Sequence, residues 1–364
     1  MNFKRLGTVG AIVIAGTILL SSCAANEETP SEESPAASDL SGVLVGAGAS
    51  SQGSAQELWI SEFQTANPDV DITYDPTGSG AGRETFIGGG SDFAGSDSAL
   101  SEDEIAGGFA SCVPDTGYIQ VPAFIDPIAV IFNVEGVDTL NLDAATIAKI
   151  FKGEITSWDD PAIAALNEGT TFPSATITAV HRSDDSGTTK NFADYLNKVA
   201  PEVWDAAPAD PFPYATGEGA QGTSGVVDAV TNGTNTIGYA AAGKINDLNS
   251  ASIKVGDEFV AYSAEGAASV VDGSPAGATN NDSTDLSIKL DRATTDPSQY
   301  PLVLVSYLIA CNEYVKADVA PLVSAYLTYV TSQDGQSVAA SEAGAAPLSS
   351  ALSDKIATAL AAIK

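Results

Sequence analysis

From Gly42 onward, short apolar segments alternate with amphipathic ones, and the junctions between them are rich in glycine, serine and threonine. Residues 43–45 and 70–74 have the apolar or alternating pattern of β-strands. Between them, apolar residues recur at helical spacing at Ala55, Trp59, Phe63 and Ala66. An alternation of strand, polar loop and helix predicts an α/β fold with a largely parallel sheet. The length of 364 residues suits two lobes better than a single core.

The first 22 residues have the features of a secretory signal. Lys4 and Arg5 supply positive charge, and a mostly apolar segment follows at 6–20. That segment is shorter than the ~20 residues that a membrane-spanning helix needs. We therefore predict that residues 1–22 are a signal peptide that is removed on export.

The end of this segment predicts a membrane anchor. The residues at 20–23, Leu-Ser-Ser-Cys, resemble a bacterial lipobox, in which Cys23 would be diacylated and become the first mature residue. The alternative is an ordinary secretory signal cleaved near Ala24 or Ala25, which would discard Cys23. Segment 23–40 is acidic and poor in large apolar side chains, so we predict a disordered spacer. The protein would then be lipid-anchored on the extracytoplasmic face of the cell membrane.

The charge of the chain excludes some classes of partner. The whole chain has 15 basic and 47 acidic residues, a net charge of −32, and removal of Lys4 and Arg5 with the leader makes it −34. Such a surface repels nucleic acid and anionic headgroups, so we expect no nucleic-acid partner. A single histidine and the lack of a Cys/His cluster leave no metal site or cofactor to predict.

The cysteine count indicates a disulfide. If Cys23 carries lipid, Cys112 and Cys311 remain as an even pair in an oxidising compartment. We predict that they are bonded to each other. The alternative is two free, buried thiols.

Loops of one composition lie where strands are predicted to lead into helices. A helix N-terminus offers unpaired N–H groups and the positive end of the helix dipole, and glycine lets a ligand approach the backbone. Several such loops at one point would bind an anion, although serine or glycine at a single helix start is usually only a cap. The loops are Gly-Ala-Ser-Ser at 48–51, Thr-Gly-Ser-Gly at 77–80, Gly-Ser-Asp-Ser at 95–98 and Arg-Ser-Asp-Asp-Ser-Gly-Thr at 182–188.

The loop at 182–188 is the most specific, because it places a guanidinium group beside a helix start. Such a pairing suits an oxyanion. The alternative is a surface arginine paired with Asp184 or Asp185. Gly-Ala-Gly at 46–48 begins like a dinucleotide-binding fingerprint, but Ser51 stands at the third glycine position. We reject a dinucleotide site for that reason.

Taken in order, these loops resemble those of the substrate-binding lipoproteins of phosphate ABC transporters. The matching segments are Gly-Ala-Gly-Ala-Ser at 46–50, Thr-Gly-Ser-Gly-Ala-Gly at 77–82, Asp-Phe-Ala-Gly-Ser-Asp at 92–97 and the loop at 182–188. Two further segments, at 151–160 and 236–239, resemble the family's GxIxxWxD and AIGY motifs. The resemblance runs from about Gly42 to about Ile309.

The resemblance implies a phosphate site, the membrane permease subunits as partners and a monomeric protein. By position, the phosphate-binding residues would be Ser50, Ser51 through its backbone, Ser79, Asp97, Arg182, Ser186, Gly187 through its backbone, and Thr188. The chain departs from many relatives in two places. It has Ser50-Ser51 where they have Thr-Phe, which keeps the hydroxyl and the N–H. It also has Asp185 where they have glycine, which adds a carboxylate near the site.

The resemblance also implies two α/β lobes of the periplasmic-binding-protein type, joined by a hinge, with the ligand in the cleft between them. Lobe one would comprise 41–122 plus 303–364, and lobe two would comprise 123–302. The chain would cross near 120–124 and return near 300–305. Cys112 and Cys311 would then both lie close to the crossings, which favours their pairing.

Two alternatives remain, of which the first belongs to another functional class. His181, Asp184 and Ser186 are close in sequence and could form the triad of a secreted hydrolase or phosphatase. No Gly-x-Ser-x-Gly elbow is present, so we expect no enzyme activity. The same scaffold could instead bind sulfate, molybdate or tungstate. Asp97 argues for phosphate, because a carboxylate accepts hydrogen bonds and phosphate near neutral pH still carries a proton.

We predict that a Cys23→Ser variant loses its lipid and appears in the culture medium or remains as precursor. The thiol is the group that would carry the acyl chains, and serine at that position removes it. Membrane fractionation and mass spectrometry measure the outcome. Correctly processed variant protein that stays in the membrane would contradict the anchor.

Overall fold

A computed structural model of the protein describes residues 39–346 and 348–364. The predicted signal peptide 1–22, Cys23 and most of the predicted spacer 23–40 lie outside the described residues. Within the described ranges, no helix combines the length and the apolar character that a membrane crossing requires.

Strands and helices alternate along the chain, which confirms the α/β class. The described strands are β1 (Gly42–Gly48), β2 (Val70–Asp75), β3 (Phe93–Ser96), β4 (Tyr118–Asn133), β5 (Asn141–Leu142), β6 (Thr178–Arg182), β7 (Glu218–Ala220), β8 (Thr236–Ala241), β9 (Asn249–Ser250), β10 (Ser252–Val255), β11 (Glu258–Val260) and β12 (Val303–Cys311). The described helices are α1 (Gly53–Ala66), α2 (Ser79–Ile87), α3 (Glu102–Gly107), α4 (Ala144–Phe151), α5 (Pro161–Leu166), α6 (Gly187–Val199), α7 (Gly222–Asn232), α8 (Ala264–Gly273), α9 (Val319–Thr331), α10 (Gln333–Ala343) and α11 (Ser350–Leu360). Short 3-10 turns lie at Ser50–Gln52 and Ala242–Lys244.

Most of the described strands belong to one sheet with the order β2-β1-β3-β12-β4-β8-β6-β7, and β9 pairs with β4. At one end β1 runs parallel to β2 and β3, and at the other end β6 runs parallel to β7 and β8. The central strands β4 and β12 are antiparallel to each other. A smaller sheet has the order β11-β10-β5. Two parallel groups are thus joined through an antiparallel pair.

The long strand β4 connects two hydrophobic cores. Its residues from Tyr118 to Pro127 pair with β12, and those from Ile128 to Asn133 pair with β8. Its side chains as far as Ile125 pack into one buried cluster with α1 and α9, and those of Ile128, Val130 and Phe132 pack into another with α4 and α6. Ala129 and Ile131, on the opposite face, pack into a smaller cluster with α7. A largely buried strand that serves two cores explains how one sheet supports two lobes.

Core packing shows where the segment after β11 belongs. Ala267, Val270 and Val271 of α8 are buried in the first core, together with Leu286. These residues lie within 123–302, which the sequence analysis assigns to lobe two. The exact lobe boundaries therefore stay a prediction, while the two cores themselves are a feature of the structure.

Cys112 and Cys311 form a disulfide across 199 residues of sequence. It fastens the segment after α3 to the end of β12. The neighbouring Tyr314 supports the same junction, because its hydroxyl donates to the carbonyl of Asp92 at 2.6 Å and accepts from the N–H of Cys311. The bond therefore closes a loop that spans the second core.

We predict that replacing Cys112 and Cys311 together by serine lowers the free energy of unfolding by about 2–5 kcal/mol, because the unfolded chain regains the freedom of a long loop. Urea unfolding of the mature protein with and without reductant measures this. Reductant should destabilise the wild type and leave the double variant unchanged. Equal stability of the two proteins without reductant would contradict the prediction.

Candidate anion-binding site

The loops that the sequence singles out come together where strands end and helices begin. The turn Ser50–Gln52 follows β1, α2 starts at Ser79, Asp97 follows β3, and α6 starts after Ser186. Parallel strands place their carboxyl ends at one edge of a sheet, which is where α/β folds bind ligands. Loops from both lobes meet at this edge, with Asp97 at the centre.

Asp97 is a buried carboxylate surrounded by hydroxyl groups. The Ser51 hydroxyl lies 2.7 Å from both carboxylate oxygens, the Ser306 hydroxyl donates at 2.6 Å, and that of Thr188 donates at 3.1 Å. Burial raises the pKa of Asp97 above its ordinary value, and these hydroxyl groups and the charge of Arg182 counteract that shift. Hydrogen bonds donated to a carboxylate favour its ionised form. The site therefore holds an acceptor in the middle of donors.

The backbone around Asp97 ties the two lobes together. Its N–H donates to the Ser79 hydroxyl at 3.1 Å, and its carbonyl accepts from the Asn191 side chain at 2.6 Å. Asn191 also donates to the carbonyl of Gly187, one turn earlier in α6. A Cβ at Gly187 would lie 2.6 Å from the Ser79 hydroxyl oxygen and 2.8 Å from the Asp97 Cβ. Glycine is therefore the residue that allows this close approach.

Arg182 is buried at the end of β6 and pairs with Asp184. Its Nε donates to Asp184 Oδ1 at 2.7 Å and its Nη2 donates to the other oxygen. Asp184 also accepts from the N–H of Gly222 at the start of α7. Burial raises the pKa of Asp184, but the hydrogen bonds and charge of Arg182 outweigh it, so that the pKa is lowered. Arg182 thus forms the pair that the sequence analysis kept as an alternative, but in a buried position rather than at the surface.

The remaining predicted residues are held at helix starts. The Ser50 hydroxyl accepts from the N–H of Thr223 at 3.1 Å and lies 3.0 Å from the Thr223 hydroxyl. The Ser186 hydroxyl accepts from the N–H of Thr189 and caps α6. Ser50 and Ser186 therefore stabilise helix N-termini, while the backbone N–H of Gly187 lies in the first turn of α6.

Comparison with known proteins identifies the family. The model for the PBP superfamily domain matches residues 27–334. Phosphate-binding protein PstS 3 of Mycobacterium tuberculosis is 34% identical over 341 residues, which cover 90% of each chain. PstS 2 of the same organism is 32% identical over 380 residues, which cover both chains completely. The chain belongs to the PstS family of phosphate-binding proteins.

The fold agrees with this assignment. A solved phosphate-binding protein from Stenotrophomonas maltophilia superposes with a TM-score of 0.64 at 20% identity, covering 87% of this chain and 93% of the other. At that identity the likeness concerns the fold alone. The two-lobed α/β architecture that the sequence resemblance implied is confirmed.

Sequence reasoning missed several residues that contact the predicted ones or bridge the lobes. Ser306 is a lone polar residue within the apolar strand β12, and that isolation was the available signal. Asn191 and Thr223 lie inside helices, where nothing in the sequence distinguishes them. Arg83 bridges the lobes from α2: it donates to Glu104 at 2.8 Å in its own lobe and to Asp210 at 2.6 Å in the other.

The hydrolase alternative does not match the geometry. The His181 ring stacks on Phe212 at 3.9 Å between ring centroids, and its Nδ1 faces the carbonyl of Arg182. The Ser186 hydroxyl is engaged with the N–H of Thr189 instead of the histidine. Among the described residues, no group of His, Cys, Asp and Glu side chains is arranged to hold a metal ion.

Asp185, which stands where many relatives have glycine, contacts the other lobe mainly through its backbone. Its carbonyl accepts from the N–H of Gly80 at 3.1 Å, and a Cβ at Gly80 would lie 2.6 Å from the Asp185 Cβ. The Asp185 residue is exposed. The carboxylate therefore lies at the rim of the cleft, and the contact between the lobes uses the peptide.

We predict that Gly187→Ala lowers the free energy of unfolding by about 1–3 kcal/mol, because the added methyl group overpacks the junction between the lobes. Gly107→Ala is the matched control, since a Cβ at Gly107 meets nothing within 4 Å. Urea unfolding of both variants measures the difference. A Gly187→Ala variant as stable as the control would contradict the close approach of Gly187 to Ser79 and Asp97.

Proposed function

We propose that this protein binds inorganic phosphate in the cleft between its lobes and delivers it to the permease subunits of a phosphate ABC transporter. Membership of the PstS family supports the ligand and the transport role. In this proposal the mature protein is a monomer, held at the extracytoplasmic face of the membrane by lipid on Cys23.

The observation that carries the proposal is the buried carboxylate of Asp97 among donors. Sulfate and dianionic phosphate have similar shapes, but phosphate near neutral pH retains a proton and sulfate does not. A carboxylate accepts the hydrogen bond of that proton. Against sulfate it presents only like-charge repulsion in a site with little water, which costs several kcal/mol. Asp97 would therefore select phosphate.

The donors would hold the other phosphate oxygens. We assign this role to the hydroxyls of Ser50, Ser79, Ser186 and Thr188, the backbone N–H groups of Ser51 and Gly187, and Arg182. The Thr188 hydroxyl now donates to Asp97, and rotation about one bond re-aims it, while the Ser51 hydroxyl stays on Asp97. N–H groups at the start of α6 add the positive end of a helix dipole.

Arg182 would supply full positive charge. Asp184 engages its Nε and Nη2, which fixes the plane of the guanidinium group while Nη1 has no hydrogen-bond partner among the described residues. A charged hydrogen bond of this kind contributes about 1.5–3 kcal/mol. The ion pair thus orients the donor and leaves one edge of it for the ligand.

Binding and lobe closure would be coupled. Gly80 of one lobe contacts the carbonyl of Asp185 in the other, and Asn191 contacts the carbonyl of Asp97. A ligand that bonds to loops of both lobes stabilises the arrangement in which they meet. The closed form would be the state that the permease recognises.

We predict that Asp97→Asn weakens phosphate binding only modestly and lets sulfate compete measurably, because asparagine keeps the size and adds a donor. Asp185→Asn is the matched control, since this carboxylate lies at the rim. Equilibrium titration with phosphate, sulfate, molybdate and tungstate measures the selectivity. An Asp97→Asn variant that still excludes sulfate would show that the discrimination lies elsewhere.

A further inference from the structure

A chain of hydrogen bonds runs through the first core and ends at Asp97. The Tyr326 hydroxyl donates to Gln56 Oε1 at 2.6 Å, and Gln56 Nε2 donates to Gln52 Oε1 at 2.9 Å. Gln52 Nε2 then donates to the Ser306 hydroxyl at 2.8 Å, which donates to Asp97 at 2.6 Å. All five side chains are buried. They come from α9, α1, the turn after β1, β12 and the end of β3.

One backbone carbonyl fixes the direction of this hydrogen-bond chain. Gln52 Nε2 also lies 3.0 Å from the carbonyl oxygen of Tyr307, which can only accept, so this end of the amide must be the NH₂ group. The Gln52 oxygen then faces Gln56 and requires a donor there. By the same reasoning the Gln56 oxygen requires a donor from Tyr326. Each of the four hydrogen bonds from Tyr326 to Asp97 is therefore donated in the direction of Asp97.

At the other end, Ser306 has one proton to give. Its oxygen already accepts from Gln52, so its own hydrogen is free to point at Asp97 Oδ1. Burial raises the pKa of Tyr326 well above its ordinary value, which keeps the first donor of the chain protonated. A serine without the Gln52 contact could instead turn its hydrogen elsewhere and present a lone pair.

These polar groups are costly in a core. Burying an amide or hydroxyl group without a hydrogen-bond partner costs about 1–3 kcal/mol of folding free energy. Tyr326 packs its ring against Phe63 and Phe93, so the core needs the ring rather than the hydroxyl. A Cβ at Gly95 would lie 2.5 Å from the Gln52 oxygen, so glycine there leaves room for the amide. Packing alone does not call for such an arrangement.

We propose that Gln52, Gln56 and Tyr326 are positioning residues that act through Ser306 to keep Asp97 an acceptor, and so set the preference for a protonated oxyanion. This inference rests on the proposed function. Without the hydrogen-bond chain, Asp97 loses a fixed donor and takes up a proton more readily. A protonated carboxyl group donates a hydrogen bond, which removes the barrier to sulfate.

The test compares Gln52→Met and Tyr326→Phe with Tyr329→Phe. Tyr329 lies on the same helix and contacts the same Phe63 ring, but its hydroxyl has no hydrogen-bond partner in the described part of the chain. Each purified mature protein is titrated with phosphate and with sulfate at neutral pH, and the ratio of the two dissociation constants is the readout. Loss of packing alone weakens both ligands and leaves this ratio unchanged.

We expect the sulfate-to-phosphate ratio of dissociation constants to fall by roughly tenfold in Gln52→Met and roughly threefold in Tyr326→Phe, which corresponds to the loss of one or part of one buried hydrogen bond. Tyr329→Phe should keep the wild-type ratio. If Gln52→Met does not fold, Tyr326→Phe decides.

A wild-type ratio in Tyr326→Phe would overturn the inference, provided that the wild type binds phosphate and excludes sulfate. A wild type that binds no phosphate would instead overturn the proposed function. The two failures are therefore distinguishable within one set of titrations.

Discussion

The site depends on one buried negative charge. Asp97 is 3% exposed and lies among the hydroxyls of Ser51, Thr188 and Ser306. A carboxylate in this position is stable only while donors surround it, because burial without hydrogen bonds favours the neutral form. The loops of both lobes supply those donors. The same requirement explains why glycine occupies Gly187, where a side chain would separate the donors from the carboxylate.

The sheet brings these donors together. Strand β12 carries Ser306 beside β3, which leads into Asp97, while β4 continues from the first core into the second. Because β4 and β12 are the shared central strands, we propose that lobe closure is a small rotation about them, which would keep each core packed. The disulfide at the end of β12 fixes one end of this pair to the first lobe.

The fold class and the loops of the site could be predicted from sequence, because strand, glycine-rich loop and helix leave local patterns. The side-chain contacts within the site could not be predicted in this way. The pairing of Arg182 with Asp184 was predicted as an alternative to ligand binding, yet this ion pair engages only Nε and Nη2, and Nη1 has no hydrogen-bond partner among the residues described. Ser306 approaches Asp97 from 209 residues away, and no local pattern encodes such a distance. The packing of α8 in the first core likewise joins segments far apart in sequence, so no local pattern predicts it.

The most direct measurement is equilibrium titration of the purified wild-type protein with phosphate and with sulfate at neutral pH. We predict one phosphate per chain and no measurable competition by sulfate, because an ionised Asp97 accepts a hydrogen bond from the proton that phosphate carries and sulfate lacks. Equal binding of both anions would contradict the role given to the buried carboxylate, and so would binding of neither.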